Sequence, residues 1–477
     1  MIAAEIWKLS AVEIARRVRN KEIRAVEVAE SALSRIESVD PILHAFCTTA
    51  ADLARSMAAK VDDMVASGRD PGPLAGVPVG IKDLVATKDV RTVCGSKAYE
   101  GFTPDEDDII VERLRNAGAI FLGKTNVPEF GYSGVGHNPV FDTTCNPWNP
   151  AMTPGGSSAG SGAAVASGMC PIAVASDGGG SIRIPAAHCG LVGVKPSAGR
   201  VPLYPGCRDE RYPGISSWES LEHLGPLSRT VADSALMLSV MAGPDPRDRH
   251  SIPVSDVDWL DLSIESVRGK RVALSLDFGY VAVDPEVRKL VKQAAQFFSN
   301  DLGCVVEEVV PNWSDPYEAF WAIVAADTDL VGMREMVATH GKQMTPHLVD
   351  FIQKPWSAEQ FTEAHKMRQT LCNSMWRLME NYDYLITPTL TTPPFPLHVQ
   401  GPEKIDGKIV HPFQWLSFTF PFNMTGQPAA SLPAGWTQQG LPVGIQIVGR
   451  HLADTSVLQA CAAFERAAPW GDRWPAL

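Results

Sequence analysis

Two glycine-backed serines stand close together in this chain, and neither has a histidine base beside it. Gly155-Gly156-Ser157-Ser158-Ala159-Gly160-Ser161 supplies the first, and Asp177-Gly178-Gly179-Gly180-Ser181-Ile182-Arg183-Ile184-Pro185-Ala186 the second. A nucleophilic serine needs a group that removes its proton, backbone N–H groups aimed at the developing oxyanion, and open space for a substrate. The glycines before Ser181 answer the last two needs, because only glycine lets the main chain turn sharply and approach a ligand closely. The base must come from elsewhere. In Gly76-Val77-Pro78-Val79-Gly80-Ile81-Lys82-Asp83, Val77, Val79 and Ile81 alternate with Pro78 and Gly80 as in a strand with one apolar face, and Lys82 ends it on the side opposite Ile81. A lysine partly buried there loses hydration, which disfavours the ammonium and lowers its pKa toward the proton-accepting range. These residue types point to a serine hydrolase with a lysine base.

Other readings compete at each point. A Gly/Ser run by itself is a flexible linker, but this one abuts Gly162-Ala163-Ala164-Val165-Ala166, a small-residue helix, and a linker does not lead directly into a packed segment. A phosphate cradle at a helix N-terminus wants Gly-Lys-Ser/Thr or the spaced glycines of a dinucleotide fingerprint, and this loop has neither. Lys82 alone would be solvated or paired with Asp83. Gly179-Gly180-Ser181-Ile182-Arg183 places arginine where a nucleophile elbow needs its final glycine, so a histidine triad has no support. His188, the imidazole nearest to Ser181 in sequence, reads as structural, and His137 reads as no more than a pocket edge. Ser158, Asp177 and Arg183 read as supports whose hydroxyl, carboxylate and guanidinium satisfy loop hydroxyls and main-chain groups.

The serine loops have further company. Gly80-Ile81-Lys82-Asp83, Leu122-Gly123-Lys124-Thr125-Asn126, Asn146-Pro147-Trp148-Asn149, Gly190-Leu191-Val192-Gly193-Val194-Lys195-Pro196, Phe422-Asn423-Met424-Thr425-Gly426-Gln427-Pro428 and Gly440-Leu441-Pro442-Val443-Gly444-Ile445-Gln446 span essentially the whole chain. Together they resemble the amidase signature family of Ser-cisSer-Lys hydrolases. The resemblance implies that Ser181 attacks the carbonyl while Ser157, held by a cis peptide bond, relays protons between Ser181 and a neutral Lys82. It places the oxyanion hole at the N–H groups of Gly178, Gly179, Gly180 and Ser181. It implies an α/β fold with a mixed central β-sheet between layers of helices. Two departures stand out: Ala159 replaces a common glycine and must avoid positive φ, and Gly178 stands where threonine is frequent.

Composition is consistent with one large enzyme. A chain of 477 residues with 45% apolar and 20% charged content can bury an extensive core. Length alone suggests about three domains. The spread of the site motifs instead favours a single domain over 1–477, with a signature core at about 70–235 and a variable pocket region at about 313–411. A net charge of −12 without Lys/Arg clusters argues against nucleic acid. The N-terminus lacks a basic region followed by an apolar run, and no stretch approaches the ~20 apolar residues of a membrane span, so the expectation is a cytoplasmic protein. Nine cysteines at 47, 94, 145, 170, 189, 207, 304, 372 and 461 show no Cys-x-x-Cys pair and no zinc spacing. They read as reduced thiols, and no metal or cofactor is expected.

Ser10 with Glu13 opens a first helix ending near Asn20, and Val26, Ala29, Ala32, Leu33 and Ile36 mark a second. Short strands at 119–122, 172–175 and 271–276 alternate with helices, and 244–262 reads as a surface loop. The stretch from Trp313 to His411 shows no regular pattern. Its Trp321, Met333, Met336, Trp356, Phe361, Trp376 and Met379 read mostly as helix cores, with some lining a substrate pocket. Phe413, Trp415, Leu416, Phe418 and Phe420 add an apolar face.

The resemblance covers glutamine amidase subunits of tRNA-dependent amidotransferases, which hold a free amino acid with charged groups, including an acidic residue at the place of Leu416. A leucine there would leave an ammonium unpaired. The expectation is therefore a stand-alone hydrolase of apolar or aryl amides, with carbamates (urethanes), anilides and esters presenting the same carbonyl. A small-molecule amide is the expected partner, and a homodimer the expected assembly. The glutaminase subunit is the alternative, and a non-enzymatic nucleotide-binding protein the alternative from another class.

Overall fold

Helix starts are written into this sequence by side chains that take up the unpaired N–H groups of a first turn. Ser10 Oγ accepts from the Glu13 N–H at 3.1 Å and opens Ala11–Arg19, which ends at the expected C-cap, Asn20. Asp284 caps Pro285–Asn300, and Ser357 with Gln360 forms a reciprocal capping box at the start of Ala358–Asn381. Ala25–Leu43 buries Ala29, Ala32, Leu33 and Ile36, while Val26 is half-buried.

The computed structural model describes residues 3–206, 214, 218–254 and 257–477. Its strands, in chain order, are β1 (Phe46–Thr49), β2 (Pro78–Lys82), β3 (Ile120–Thr125), β4 (Ile172–Ser176), β5 (Val192–Lys195), β6 (Leu224–Ser228), β7 (Arg271–Leu274), β8 (Val305–Glu308), β9 (Tyr384–Pro388), β10 (Lys404–Ile405), β11 (Lys408–Ile409), β12 (Ala429–Trp436) and β13 (Pro442–Gly449). Eleven of them form one sheet in the order β1-β3-β2-β4-β6-β5-β12-β13-β9-β7-β8, and β10 pairs only with β11. The sheet is mixed. β2 runs parallel to β3 and β4, and β7 parallel to β8 and β9, while the remaining neighbours are antiparallel.

Successive side chains of a strand point to opposite faces, so a strand buried at every residue is covered on both. β2, β3, β4, β5, β6, β9 and β13 are buried throughout. Helices therefore cover both faces of the sheet, as the α/β expectation requires. The single apolar face read for residues 77–82 is corrected accordingly: the Lys82 side of β2 is as buried as the Ile81 side.

The expected strand at 271–276 stops at Leu274. Among its described residues, the 244–262 loop holds no regular element; residues 255 and 256 lie outside the described residues, as does Cys207. The stretch without sequence pattern folds into the α-helices Tyr317–Asp327, Leu330–His340, Pro346–Gln353 and Ala358–Asn381, followed by β9, β10 and β11. Met333 and Met379 are buried there, Trp321, Met336, Trp356 and Phe361 are half-buried, and Trp376 is exposed. No helix among the described residues is long and apolar enough to cross a membrane.

Candidate active site

β2 and β4 lie side by side in parallel, with Val79 opposite Ile172, Gly80 opposite Ala173 and Ile81 opposite Val174. Their carboxyl ends therefore deliver Lys82 and Ser176 to one place, the end of a parallel pair at which open α/β sheets hold their ligands. Lys82 Nζ donates to Ser157 Oγ at 2.7 Å, to Ser176 Oγ at 2.8 Å and to the Ser176 carbonyl at 3.3 Å. The side chain is fully buried. Burial pulls its pKa down to about 8, resisted by the negative charges of Glu222 and Asp177. Asp83 is not its partner. That carboxylate accepts from the Val93 N–H at 3.1 and 3.3 Å, and burial raises its pKa to about 6 against the attraction of Lys124.

The Gly156–Ser157 peptide bond is cis. Ala159 opens the helix Ala159–Ala166 with an ordinary negative φ, so its Cβ leaves the loop geometry intact. Ser158 ties the two serine loops together: its N–H donates to the Ser181 carbonyl at 3.4 Å, and its hydroxyl both donates to the Ser176 carbonyl and accepts from the Ser176 N–H at 3.3 Å.

Asp177 anchors the second loop from below. Its carboxylate receives Arg183 in a two-pronged pair at 2.9 Å for each contact, the Gly180 N–H at 2.6 Å, the Ile182 N–H at 3.3 Å and Asn423 Nδ2 at 2.8 Å. Arg183 also donates to Asn423 Oδ1 at 2.7 Å, Gln446 Oε1 at 2.8 Å and the Thr419 carbonyl at 2.9 Å. Burial pushes the Asp177 carboxyl up; the charge and hydrogen bonds of Arg183, with Lys195 and Asn423, outweigh it and hold the carboxyl below its ordinary range. The resulting stabilisation is fully present above the ordinary carboxyl value of 3.8 and is lost only as pH falls through the depressed one. Asp177→Asn is therefore expected to lower melting temperature and activity together at neutral pH, by about 3–5 kcal/mol in stability, because it leaves a buried guanidinium without its counter-charge. Thermal melting with activity assays checks this; unchanged melting with a substrate-dependent loss would make Asp177 a specificity residue.

The four N–H groups expected in the oxyanion hole do not share one environment. The Gly180 N–H is committed to Asp177, whereas among the described residues the N–H groups of Gly178, Gly179 and Ser181 have no partner within the chain. Gly180 itself sits at φ 133°, and a Cβ there would fall 2.5 Å from Thr419 Oγ1, which donates to the Gly179 carbonyl. At Gly178 the space of a side chain is filled by Trp218, whose ring carbon would lie 2.3 Å from an added Cβ. That is a physical reason for glycine here.

Ser181 opens into a narrow cleft of about 380 Å³, counting its mouth. Among the described residues its walls are Gly131, Tyr132, Ser133, Gly134, Gly179, Ile184, Trp218, Phe320, Trp321, Phe413, Leu416 and Phe420, none of them an acid, lysine, arginine or histidine. Of their polar tips, the Tyr132 hydroxyl pairs with Thr328 Oγ1 at 2.7 Å and the Ser133 hydroxyl donates to Gln400 Oε1 at 2.6 Å, while the Trp218 indole N–H is buried without a hydrogen-bond partner among the described residues. His188 is elsewhere, stacked on Trp415 at 5.5 Å and pushed by burial to a pKa of about 3. His137 is exposed, bound to Thr143 Oγ1 at 3.0 Å, and edges no part of the cleft.

Sequence reasoning misses Ser176, Thr419, Asn423 and Gln446 as members of this constellation, and Tyr132, Trp218 and Phe320 as its walls. Asn423 and Gln446 do carry a signal, since both stand inside recurring C-terminal motifs. The others do not.

The geometry has counterparts. A family model described as Amidase matches residues 27–458. An acylamidase from Rhodococcus erythropolis is 37% identical over 98% of this chain and 97% of its own length. A glutamyl-tRNA(Gln) amidotransferase subunit from Carboxydothermus hydrogenoformans is 35% identical over 97% of this chain and 98% of its own. The crystal structure of a bacterial aryl acylamidase of the amidase signature family superposes with a TM-score of 0.89 at 34% identity, covering 97% of this chain and 96% of that one. With this fold, this serine and lysine arrangement and these relatives, the chain belongs to the amidase signature family and is an amidohydrolase.

Proposed function

We propose that this amidohydrolase cleaves apolar, and in particular aryl, amides through an acyl-enzyme on Ser181. Neutral Lys82 takes the Ser181 proton through the Ser157 hydroxyl as Ser181 Oγ bonds to the carbonyl carbon. The oxyanion is held by the N–H groups of Gly178, Gly179 and Ser181, and collapse breaks the C–N bond as the relayed proton returns to the leaving nitrogen. Water then attacks the ester with the same groups reversing roles, which frees the acid and Ser181. Asp177, Arg183 and Ser158 hold the loops that carry these groups. The reading treats residues 1–477 as one domain, supported by a sheet whose strands come from positions 46 to 449.

The observation that carries the substrate class is the wall composition of the cleft, aromatic and aliphatic with Leu416 facing it. An amino-acid ammonium placed there would be desolvated with no counter-charge among the described walls. This favours an aryl or alkyl group over glutamine, although relatives of both names align at similar identity. Carbamates, anilides and small esters present the same carbonyl, and turnover of glutamine, benzamide, an acyl anilide and an aryl carbamate side by side separates the classes. The anilide and benzamide are expected to lead and glutamine to be inert; glutamine as the preferred substrate would sink the reading. Leu416→Asp is expected to lower kcat/KM for the anilide on the order of 10-fold, since it seats a charge against an apolar ring.

A further inference from the structure

A second hollow adjoins the Ser181 cleft. The two share Tyr132, Trp321 and Phe413 as a common wall, and the outer one measures about 770 Å³ with its mouth, roughly twice the inner one at about 380 Å³. The far wall adds Tyr317, Phe351 and Trp356, all half-buried. The rings form a connected run: Phe413 to Trp321 at 5.4 Å, Trp321 to Phe351 at 5.5 Å, Phe351 to Trp356 at 5.6 Å, with Tyr132 also 5.6 Å from Phe351. Rings packed against one another on one side and open on the other, in a concave surface, present apolar area that a further ring can cover. The wall supplied by the helices Tyr317–Asp327 and Pro346–Gln353 is thus continuous from the candidate nucleophile to the surface.

Charge gives the outer hollow a direction. Glu318, Asp350 and Lys354 line it, and the Lys354 ammonium lies 4.1 Å over the Trp356 ring. Glu318 and Trp356 also border an adjoining hollow, which Asp315 and Glu363 line as well. Among the described residues carboxylates therefore outnumber cations away from Ser181, which disfavours an anion there.

We propose that this vestibule is a second binding subsite, taking the distal aryl or fused-ring part of an extended amide whose outer end is neutral or cationic, while the scissile carbonyl sits at Ser181. The proposal rests on the aryl-amide reading of the inner cleft and extends it to a substrate class: long aromatic amides over short ones.

The test uses a short acyl anilide and an extended biaryl anilide in two forms, one ending in an ammonium and one in a carboxylate. Tyr317→Ala and Trp356→Ala alter vestibule residues that do not line the inner cleft; Tyr317 packs 6.4 Å from Trp321 and Phe420, which do, and Trp356 is the variant without such a contact. Each is expected to raise KM for the extended anilide roughly tenfold with kcat nearly unchanged, and to leave the short anilide unaffected. The ammonium form is expected to outperform the carboxylate form several-fold, and the difference to vanish in Glu318→Gln/Asp350→Asn. Isothermal calorimetry of the extended compounds on the Ser181→Ala protein reads the same ranking without turnover. Equal losses for short and long anilides, or no loss for the long one, would overturn the subsite. Failure of the parent protein to hydrolyse any of the amides would instead overturn the aryl-amide reading, and calorimetry would still decide the vestibule.

Discussion

Ser181→Ala is expected to lose hydrolysis on the order of 10⁶-fold in kcat, the scale seen when another serine hydrolase loses its nucleophile, while melting stays that of the parent. Ser181 is 7% exposed and faces the cleft. Among the described residues its hydroxyl has no hydrogen-bond partner within the chain, so the substitution strands no buried polar group. A fluorophosphonate probe with mass spectrometry checks the assignment: the parent should carry the label on Ser181, and the variant should carry none. Labelling of Ser157 in preference to Ser181 would show that the roles of the two serines are reversed.

Lys82→Met is expected to reduce single-turnover acylation by several orders of magnitude. General-base assistance alone accounts for about 10²–10⁴-fold, and the loss of hydrogen bonds to Ser157 and Ser176 misaligns what remains. In the parent, the base is the neutral lysine. Acylation should climb with pH, because the neutral fraction grows about tenfold per unit below its pKa, and should level off above about 8. The same shift has a sign for stability. Burial lowers the folded-state pKa from 10.5 to about 8, so between those values the unfolded chain binds the extra proton and stability from this group rises with pH. The charged lysine burdens the fold below about 8. His188→Ala is the control, since that imidazole is held neutral by burial with a pKa of about 3 and lies stacked on Trp415. Near-normal acylation in Lys82→Met with collapse in His188→Ala, measured between about pH 6 and pH 10, would overturn the lysine mechanism.

What this sequence determined by itself is what a few neighbouring residues can express. The Ser10 cap needs only a hydroxyl three positions before an N–H. The glycines around Ser181 need only their missing Cβ atoms, and the small residues after Ser158 need only to fit a buried helix. Lys82, Ser157 and Ser181 could be named because each stands in a glycine-punctuated segment, the first at the end of a strand and the other two in loops. The tertiary structure decided which groups these residues meet. Two carboxylates stand equally near the motifs, and only the packing shows that Asp83 turns to Val93 while Asp177 takes Arg183. The Gly180 N–H is a donor by sequence and a tether by geometry. Thr419 reaches Gly179 from 240 positions away and Gln446 reaches Arg183 from 263, because β5 lies beside β12 and β12 beside β13 in the sheet. Trp218 and Phe320 close over Gly178 and Gly179 by the same long-range route. The physical reason is that periodicity and caps are short-range properties, encoded within a turn or a strand. Strand order and the packing of distant helices come from burying the whole apolar surface at once, so the walls of the cleft are legible only after the chain has closed around it.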